Sequence, residues 1–228
     1  MYNSKTVLEL FDEVPLETWQ SVLNKNMDYH FLDIPVENNS IFNNVKTVLD
    51  VGCGWGGMMR DLSHSYNIKC TGITNSPQQK EYIGDNVILA DANTLNIDNK
   101  FDLAIFIQSF THMADTAVYS VSKNTNKIFI SDFVFKGNHR REVPDWCMTI
   151  RTQNDYIEIF DKAGFEIKSF KEYPLNTYNK NAKLWLENIQ NNKITNGWQI
   201  IVLERFCKFI LKNMNRDMHI CGIYAEKK

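Results

Sequence analysis

The stretch Val48 to Gly57, VLDVGCGWGG, constrains the fold more than any other part of the chain. Residues Val45 to Val51 form a short β-branched run, the pattern of a strand buried within a parallel sheet. The run stops at Gly52, and Gly54 follows two residues later. A chain leaving a buried strand must turn sharply, and glycine permits the turn while leaving room for a ligand to approach the backbone. A helix is expected next, over Trp55 to Ser65. Strand, glycine turn and helix make the opening unit of a doubly wound α/β sheet.

The rest of the chain continues the alternation. Ile68 to Ile73 reads as a second strand, after which Ser76 is an N-cap, Pro77 fills the first helical position and Gly84 ends the helix. Strands follow at Val87 to Ala90, Phe101 to Ile107 and Lys127 to Phe135, with a helix near Asp115 to Ser122. Asn154 to Ala163 is an amphipathic helix stopped by Gly164, and Phe165 to Tyr173 and His219 to Ala225 are late strands. Between those strands, residues 174 to 217 carry two helical segments. The second puts Ile200, Leu203, Cys207, Ile210 and Met214 on one face, a core-packing stripe. Right-handed crossovers place helices on both faces of such a sheet, and ligands bind at the carboxyl ends of its strands. With 228 residues and 43% hydrophobic content, one domain is expected: a helical cover over 1–44, a core over 45–173, a helical cap over 174–217 and a final strand over 218–228.

Composition narrows the function. An uncharged apolar run of about 18 residues, which a membrane span requires, is missing. The opening MYNSKTVLELFDEVPLE carries acidic residues where a signal peptide would be apolar, so a cytoplasmic location is expected. Five cysteines, odd in number and widely spaced, read as buried free thiols rather than a disulfide framework or a metal site. A net charge of -2 provides no global field for phosphates, which argues against a nucleic-acid partner.

Gly52, Gly54 and Gly57 satisfy G-x-G-x-x-G formally, the spacing of a dinucleotide site. Asp50 argues against that ligand, because a carboxylate repels a pyrophosphate and favours a cationic amine or sulfonium. The segment resembles motif I of the class I S-adenosylmethionine-dependent methyltransferases, in the branch of the cyclopropane fatty-acid synthases with sterol, tocopherol and phosphoethanolamine methyltransferases as wider relatives. Further motifs resemble that branch in order: GITNSPQQ (Gly72 to Gln79), LADANTL (Leu89 to Leu95), FDLAIFIQSFTHMAD (Phe101 to Asp115) and NDYIEIFDKAGFEI (Asn154 to Ile167).

The resemblance implies a Rossmann-like doubly wound seven-stranded sheet, mostly parallel with its last strand antiparallel, and helical insertions capping the active site. It implies S-adenosyl-L-methionine as cofactor, held by Asp50, Gly52, Cys53, Gly54, Thr74, Asn75, Ser76, Gln79, Asp91, Ala92 and Gln108. Two departures from the pattern stand out. Thr74 and Asn75 stand where most class I enzymes have an acidic residue for the ribose. Gln108 replaces a glutamate of the cyclopropane-synthase branch, and a neutral amide stabilises a carbocation less well than a carboxylate does.

Methyl transfer from a sulfonium is an in-line displacement that requires no metal, only alignment and exclusion of water. His112, just after the fourth core strand, is the candidate base or acceptor-orienting group, with an imidazole expected to titrate near neutrality. Tyr29, His30, Trp146, Tyr178 and Trp185 are the remaining candidate substrate contacts, aromatic groups able to roof an acceptor. Lys136, His139, Arg140 and Arg141 form a basic patch beside the fifth strand. The expected acceptor is a small molecule, a secondary metabolite methylated at O, N or C, and the expected assembly a monomer or homodimer. Two alternatives stand beside this: a lipid-modifying cyclopropane synthase, and a donor-binding protein acting as a cyclase or regulator without methyl transfer.

Overall fold

The computed structural model describes residues 40–173, 175–191, 198–213 and 216–228. Its sheet begins with β1 (Thr47–Val51), β2 (Lys69–Thr74), β3 (Val87–Leu89), β4 (Leu103–Ile107) and β5 (Lys127–Phe135). These pair in parallel in the order β3-β2-β1-β4-β5, so the order reverses between β1 and β4. A hairpin follows, β6 (Arg141–Val143) and β7 (Met148–Thr152), and then β8 (Phe165–Glu172) and β9 (Met218–Lys227). Strand β9 lies antiparallel to the whole of β5 and takes β8 on its other side, which completes seven strands. This is the sheet the motifs implied.

The helices are α1 (Gly57–Tyr66), α2 (Pro77–Ile83), α3 (Thr116–Val121), α4 (Gln153–Lys162), α5 (Leu175–Asn191) and α6 (Trp198–Asn213). Their starts follow local chemistry. Gly56 sits at φ 78, so α1 opens two residues later than the apolar pattern implies. Ser76 accepts the Gln79 N–H at the start of α2, and Thr152 and Asp155 form a reciprocal capping box at α4.

Alternation along the strands divides the core into two layers. Leu49, Val51, Ile73, Ala104, Phe106 and Ile130 pack with α3 and α4 through Val118, Tyr156 and Phe160. Val48, Leu103, Ile105 and Phe129 face the other way, onto Met58, Met59 and Leu62 of α1. A third cluster sits past the carboxyl end of β5, where Phe133, Trp146, Met148 and Ile150 meet Cys207 and Ile210 of α6. Leu203, Cys207 and Ile210 are buried, which bears out the packing stripe of α6; the side chain of Ile200 and all of Met214 lie outside the described residues.

The hairpin was not legible as strands. Strand β5 has nine residues and β4 only five, and β4 stops pairing at Ser131. The overhanging Val134 and Phe135 need backbone partners, and β7 supplies them through Arg151 and Thr152. The hairpin is therefore fixed to the sheet directly beyond β4. The basic patch is likewise dispersed: Arg140 pairs with Asp115 and Asp155, Lys136 with Glu172, and Arg141 lies over the rings of Phe135 and Phe209. Four cysteines are buried and Cys147 half-buried, all as free thiols. Among the described residues, no helix is long and apolar enough to cross a membrane.

Phe106, fully buried between β4 and Phe110, reports on the main layer. Replacing it with alanine is expected to cost about 3–5 kcal/mol, read as a lowered urea midpoint with an unchanged slope.

Candidate functional site

Three glycines around the end of β1, Gly52 and Gly54 after it and Gly72 on β2, have two physical reasons. A Cβ on Gly52 (φ 77) would lie 2.5 Å from Cβ of Ser109, so the loop after β4 occupies the space that a side chain would need. Ser109 Oγ in turn donates to the Val51 carbonyl at 2.5 Å. Gly72 is closed off similarly, by Cys53 Sγ at 2.7 Å and Met59 Sδ at 2.8 Å. Gly54 (φ 54) has nothing within 4 Å of its Cβ position. Its backbone borders open space, while the amides of Gly52 and Cys53 both donate to the Ile73 carbonyl and fix the turn against β2.

Asp50 lies beneath this turn. It is 1% exposed, its Oδ2 has no hydrogen-bond partner among the described residues, and burial raises its carboxyl to about 7. A buried carboxyl with an unpartnered oxygen is costly unless a donor or a positive charge reaches it.

The end of β2 is neutral. Thr74 Oγ1 donates to Gln79 Oε1 at 2.6 Å and accepts the Ser76 amide at 3.1 Å, while Ser76 Oγ accepts the Gln79 amide. The three side chains form one linked set, with half-buried Asn75 between them. After β3, Asp91 caps a short 3-10 turn over Ala92–Thr94 and accepts from both the backbone and the side chain of Asn93. Asn93 Oδ1 then accepts the Ala114 amide, tying this acidic turn to the loop after β4.

That loop opens with Gln108, a non-glycine residue at φ 54, whose Nε2 is buried without a partner among the described residues. A 3-10 turn over Phe110–His112 follows. His112 Nδ1 lies 3.2 Å from the Cys147 carbonyl, and donating there puts the lone pair of a neutral ring on Nε2. Burial lowers the imidazole to about 4, against an opposing backbone hydrogen bond to Trp146. The expectation of titration near neutrality is thus corrected: the ring is neutral at physiological pH because a charged imidazolium would lose its hydration there.

Asp50, Gly52, Cys53, Gly54, Thr74, Asn75, Ser76, Gln79, Asp91, Ala92, Gln108 and His112 all stand at the carboxyl ends of β1 to β4, the edge where such sheets take ligands. The Trp146 ring is 8% exposed and packs on Phe206 and Phe209, and Trp185 packs against the same cluster. Tyr29, His30 and the side chain of Tyr178 lie outside the described residues. Two buried charges escaped the sequence reading. Asp132 of β5 accepts the Thr111 amide at 2.9 Å, and Arg151 of β7 donates to the carbonyls of Phe110 and Met113. Their signal was a charge inside a run of apolar strand residues, ISDFV and MTIRT.

Residues 36–123 match the family model described as mycolic acid cyclopropane synthetase. The (S)-tetrahydroprotoberberine N-methyltransferase of Eschscholzia californica is 31% identical over 148 residues, which make up 52% of this chain and 42% of that one. The chain spans less than half the length of the curated relatives it matches. Among solved structures, the [4+2]-cyclase SpnF has a TM-score of 0.79 at 20% identity, over 99% of this chain and 96% of that chain. Coclaurine N-methyltransferase, solved with N-methylheliamine and SAH, has a TM-score of 0.76 at 17% identity, over 98% and 82% respectively. At these identities the structures establish the fold, and the family match bears out the resemblance that the motifs carried.

Opposed proton linkages follow from this edge. Asp50, neutral in the fold up to about 7, loses stability as pH rises from its unfolded value of 3.8, and Asp132, raised to about 6, adds to that loss. His112 acts the other way, losing stability as pH falls from 6.5 toward 4. Asp50→Asn is expected to abolish the net decline between pH 4 and 7, because the Asp132 and His112 components that are left oppose each other, when urea midpoints are compared across that window.

Proposed function

We propose that this chain, built on the fold of the class I S-adenosylmethionine-dependent methyltransferases, binds S-adenosylmethionine at the turn after β1 and passes its methyl group to an O, N or C atom of a small-molecule acceptor, a secondary metabolite. The observation that carries the reading is the buried Asp50 carboxyl, whose Oδ2 has no partner among the described residues, beneath a backbone left open at Gly54. A buried carboxyl that ionises when a cation comes beside it, next to an open glycine turn, fits a ligand that brings a positive charge and lies close to the main chain. When bound, S-adenosylmethionine supplies a methyl group on a sulfonium sulfur, open to in-line displacement by a nucleophile.

The residues of the edge take roles consistent with their chemistry. Gly52, Cys53 and Gly54 shape the cradle, and Asp50 offers the negative charge. Thr74, Asn75, Ser76 and Gln79 present hydroxyl and amide groups where a ribose would need them. Asp91 and Ala92 flank the position of the base, and Gln108 holds an unpartnered amide donor beside the donor site. His112, neutral and with its Nδ1 proton committed to Cys147, serves better to orient an acceptor by hydrogen bonding than to remove a firmly held proton. The low basicity of that ring also favours a second reading, a protein that binds the nucleoside and catalyses or regulates something other than methyl transfer.

Calorimetry decides between them in stages. Both S-adenosylmethionine and its demethylated product are expected to bind, and Gly54→Val to weaken both by about tenfold or more, because its side chain fills the open space. Binding at pH 6.5 should release protons as the ligand cation lowers Asp50, a release lost in Asp50→Asn. Labelled donor incubated with amine, phenol and carbon-acid acceptors then gives transferred label under the first reading and binding without turnover under the second. Folded protein with no affinity for either nucleoside would overturn both.

A further inference from the structure

We propose that Arg151 and Asp132 are positioning residues, a buried clamp of opposite charges that sets His112 against the acceptor. The inference rests on the methyl-transfer reading of this site. The turn that carries His112 is three residues long and makes too few hydrogen bonds of its own to fix its orientation. Its backbone is instead held from two strands. From β7, Arg151 Nη1 donates to the Phe110 carbonyl at 2.9 Å and Nη2 to the Met113 carbonyl at 2.7 Å, bracketing His112 on both sides. The same guanidinium lies 3.9 Å from the centroid of the Phe110 ring and donates through Nε to Asp115 at 2.8 Å. From β5, Asp132 Oδ2 accepts the Thr111 amide at 2.9 Å, and its Oδ1 accepts the Phe133 amide at 2.8 Å.

Residues 110, 111 and 113 are therefore each pinned by a charged side chain, and both side chains are 1% exposed. The imidazole is held separately, through Nδ1, by the carbonyl of Cys147, the residue directly before β7. Burying two ions is an expensive way to pack a turn, and apolar residues of the same volume would do it at lower cost. What the charges add is direction: a planar fork fixes two carbonyls at once, and a carboxylate fixes an amide between them. Because β7 and β5 pair only at their ends, through Val134 with Arg151 and Phe135 with Thr152, the clamp also references the turn to the sheet. None of these hydrogen bonds is made to the glycine turn, so loosening the clamp is expected to affect acceptor alignment more than donor binding.

The test compares Arg151→Met, Arg151→Lys and Asp132→Asn with the parent protein. Three quantities are read: donor affinity by calorimetry, kcat and acceptor KM, and the titration of the His112 ring by NMR with labelled histidine. Arg151→Met is expected to lower kcat by about 30-fold while donor affinity stays within about threefold. Arg151→Lys should recover only part of that loss, since an ammonium cannot bond both carbonyls in one plane. In either variant His112 should titrate about one unit or more higher, as the ring leaves its dry position. Parental kcat together with parental His112 titration in Arg151→Met overturns the clamp, and so does a loss of donor affinity as large as the loss of kcat. If Arg151→Met does not fold, Arg151→Lys and Asp132→Asn carry the same readouts. Ring titration needs neither acceptor nor turnover, so a protein inactive toward every acceptor defeats the methyl-transfer reading while the clamp is still judged.

Discussion

The contact on which the carboxyl edge of the sheet depends is that between Gly52 and Ser109. The hydroxymethyl group of Ser109 stands where a side chain on Gly52 would stand, and its hydroxyl closes onto the Val51 carbonyl. The loops after β1 and β4 can then lie against each other at the point where strand order reverses. Any side chain at position 52 would separate them, and the Gln108 and His112 positions would move with the second loop. Gly72 does the same on the other side of β1, where it lets Cys53 and Met59 approach β2. Small size at two positions thus produces a crevice that larger residues surround.

Buried charge is handled in three ways around this crevice. Arg151 and Asp132 are saturated with backbone partners, and their charges hold a loop in place. His112 meets burial by giving up its charge. Asp50 does neither completely, since it keeps an oxygen with no partner. The first two arrangements are self-consistent without any ligand. The third leaves a desolvated oxygen that a cation or a hydrogen-bond donor beside it would stabilise.

Most of the fold was legible because its strands are short apolar runs with glycine, serine or proline at their boundaries. The run ending at Gly52, the Ser76-Pro77 helix start and the stop at Gly164 are local signals that tertiary packing did not override. The β6–β7 hairpin was not legible, because its reason for existing is the overhang of β5, a difference in strand length that only the assembled sheet defines. The gathering of the motif residues at the carboxyl ends of β1 to β4 was readable from motif order. The acidity of His112 and the packing of Trp146 against Phe206 and Phe209 were not, since both depend on how the hairpin and α6 come together. Arg151 and Asp132 had a signal in the sequence, a charge within an apolar strand. That signal gives no partner, and the partners here are backbone atoms that no residue pattern marks.

Strand β9 pairs with β5 over nine positions, from Lys127 with Glu226 to Phe135 with Met218, partners separated by roughly ninety residues of chain. Everything from the third core cluster to β8 must be made before this pairing can form. A ribosome-bound intermediate can assemble β1 to β5 on local connections, yet it exposes the full apolar edge of β5 until β9 emerges. The nascent chain therefore passes through a window in which the nine-residue β5 is an open template, and the speed of translation across α5 and α6 sets how long that window lasts.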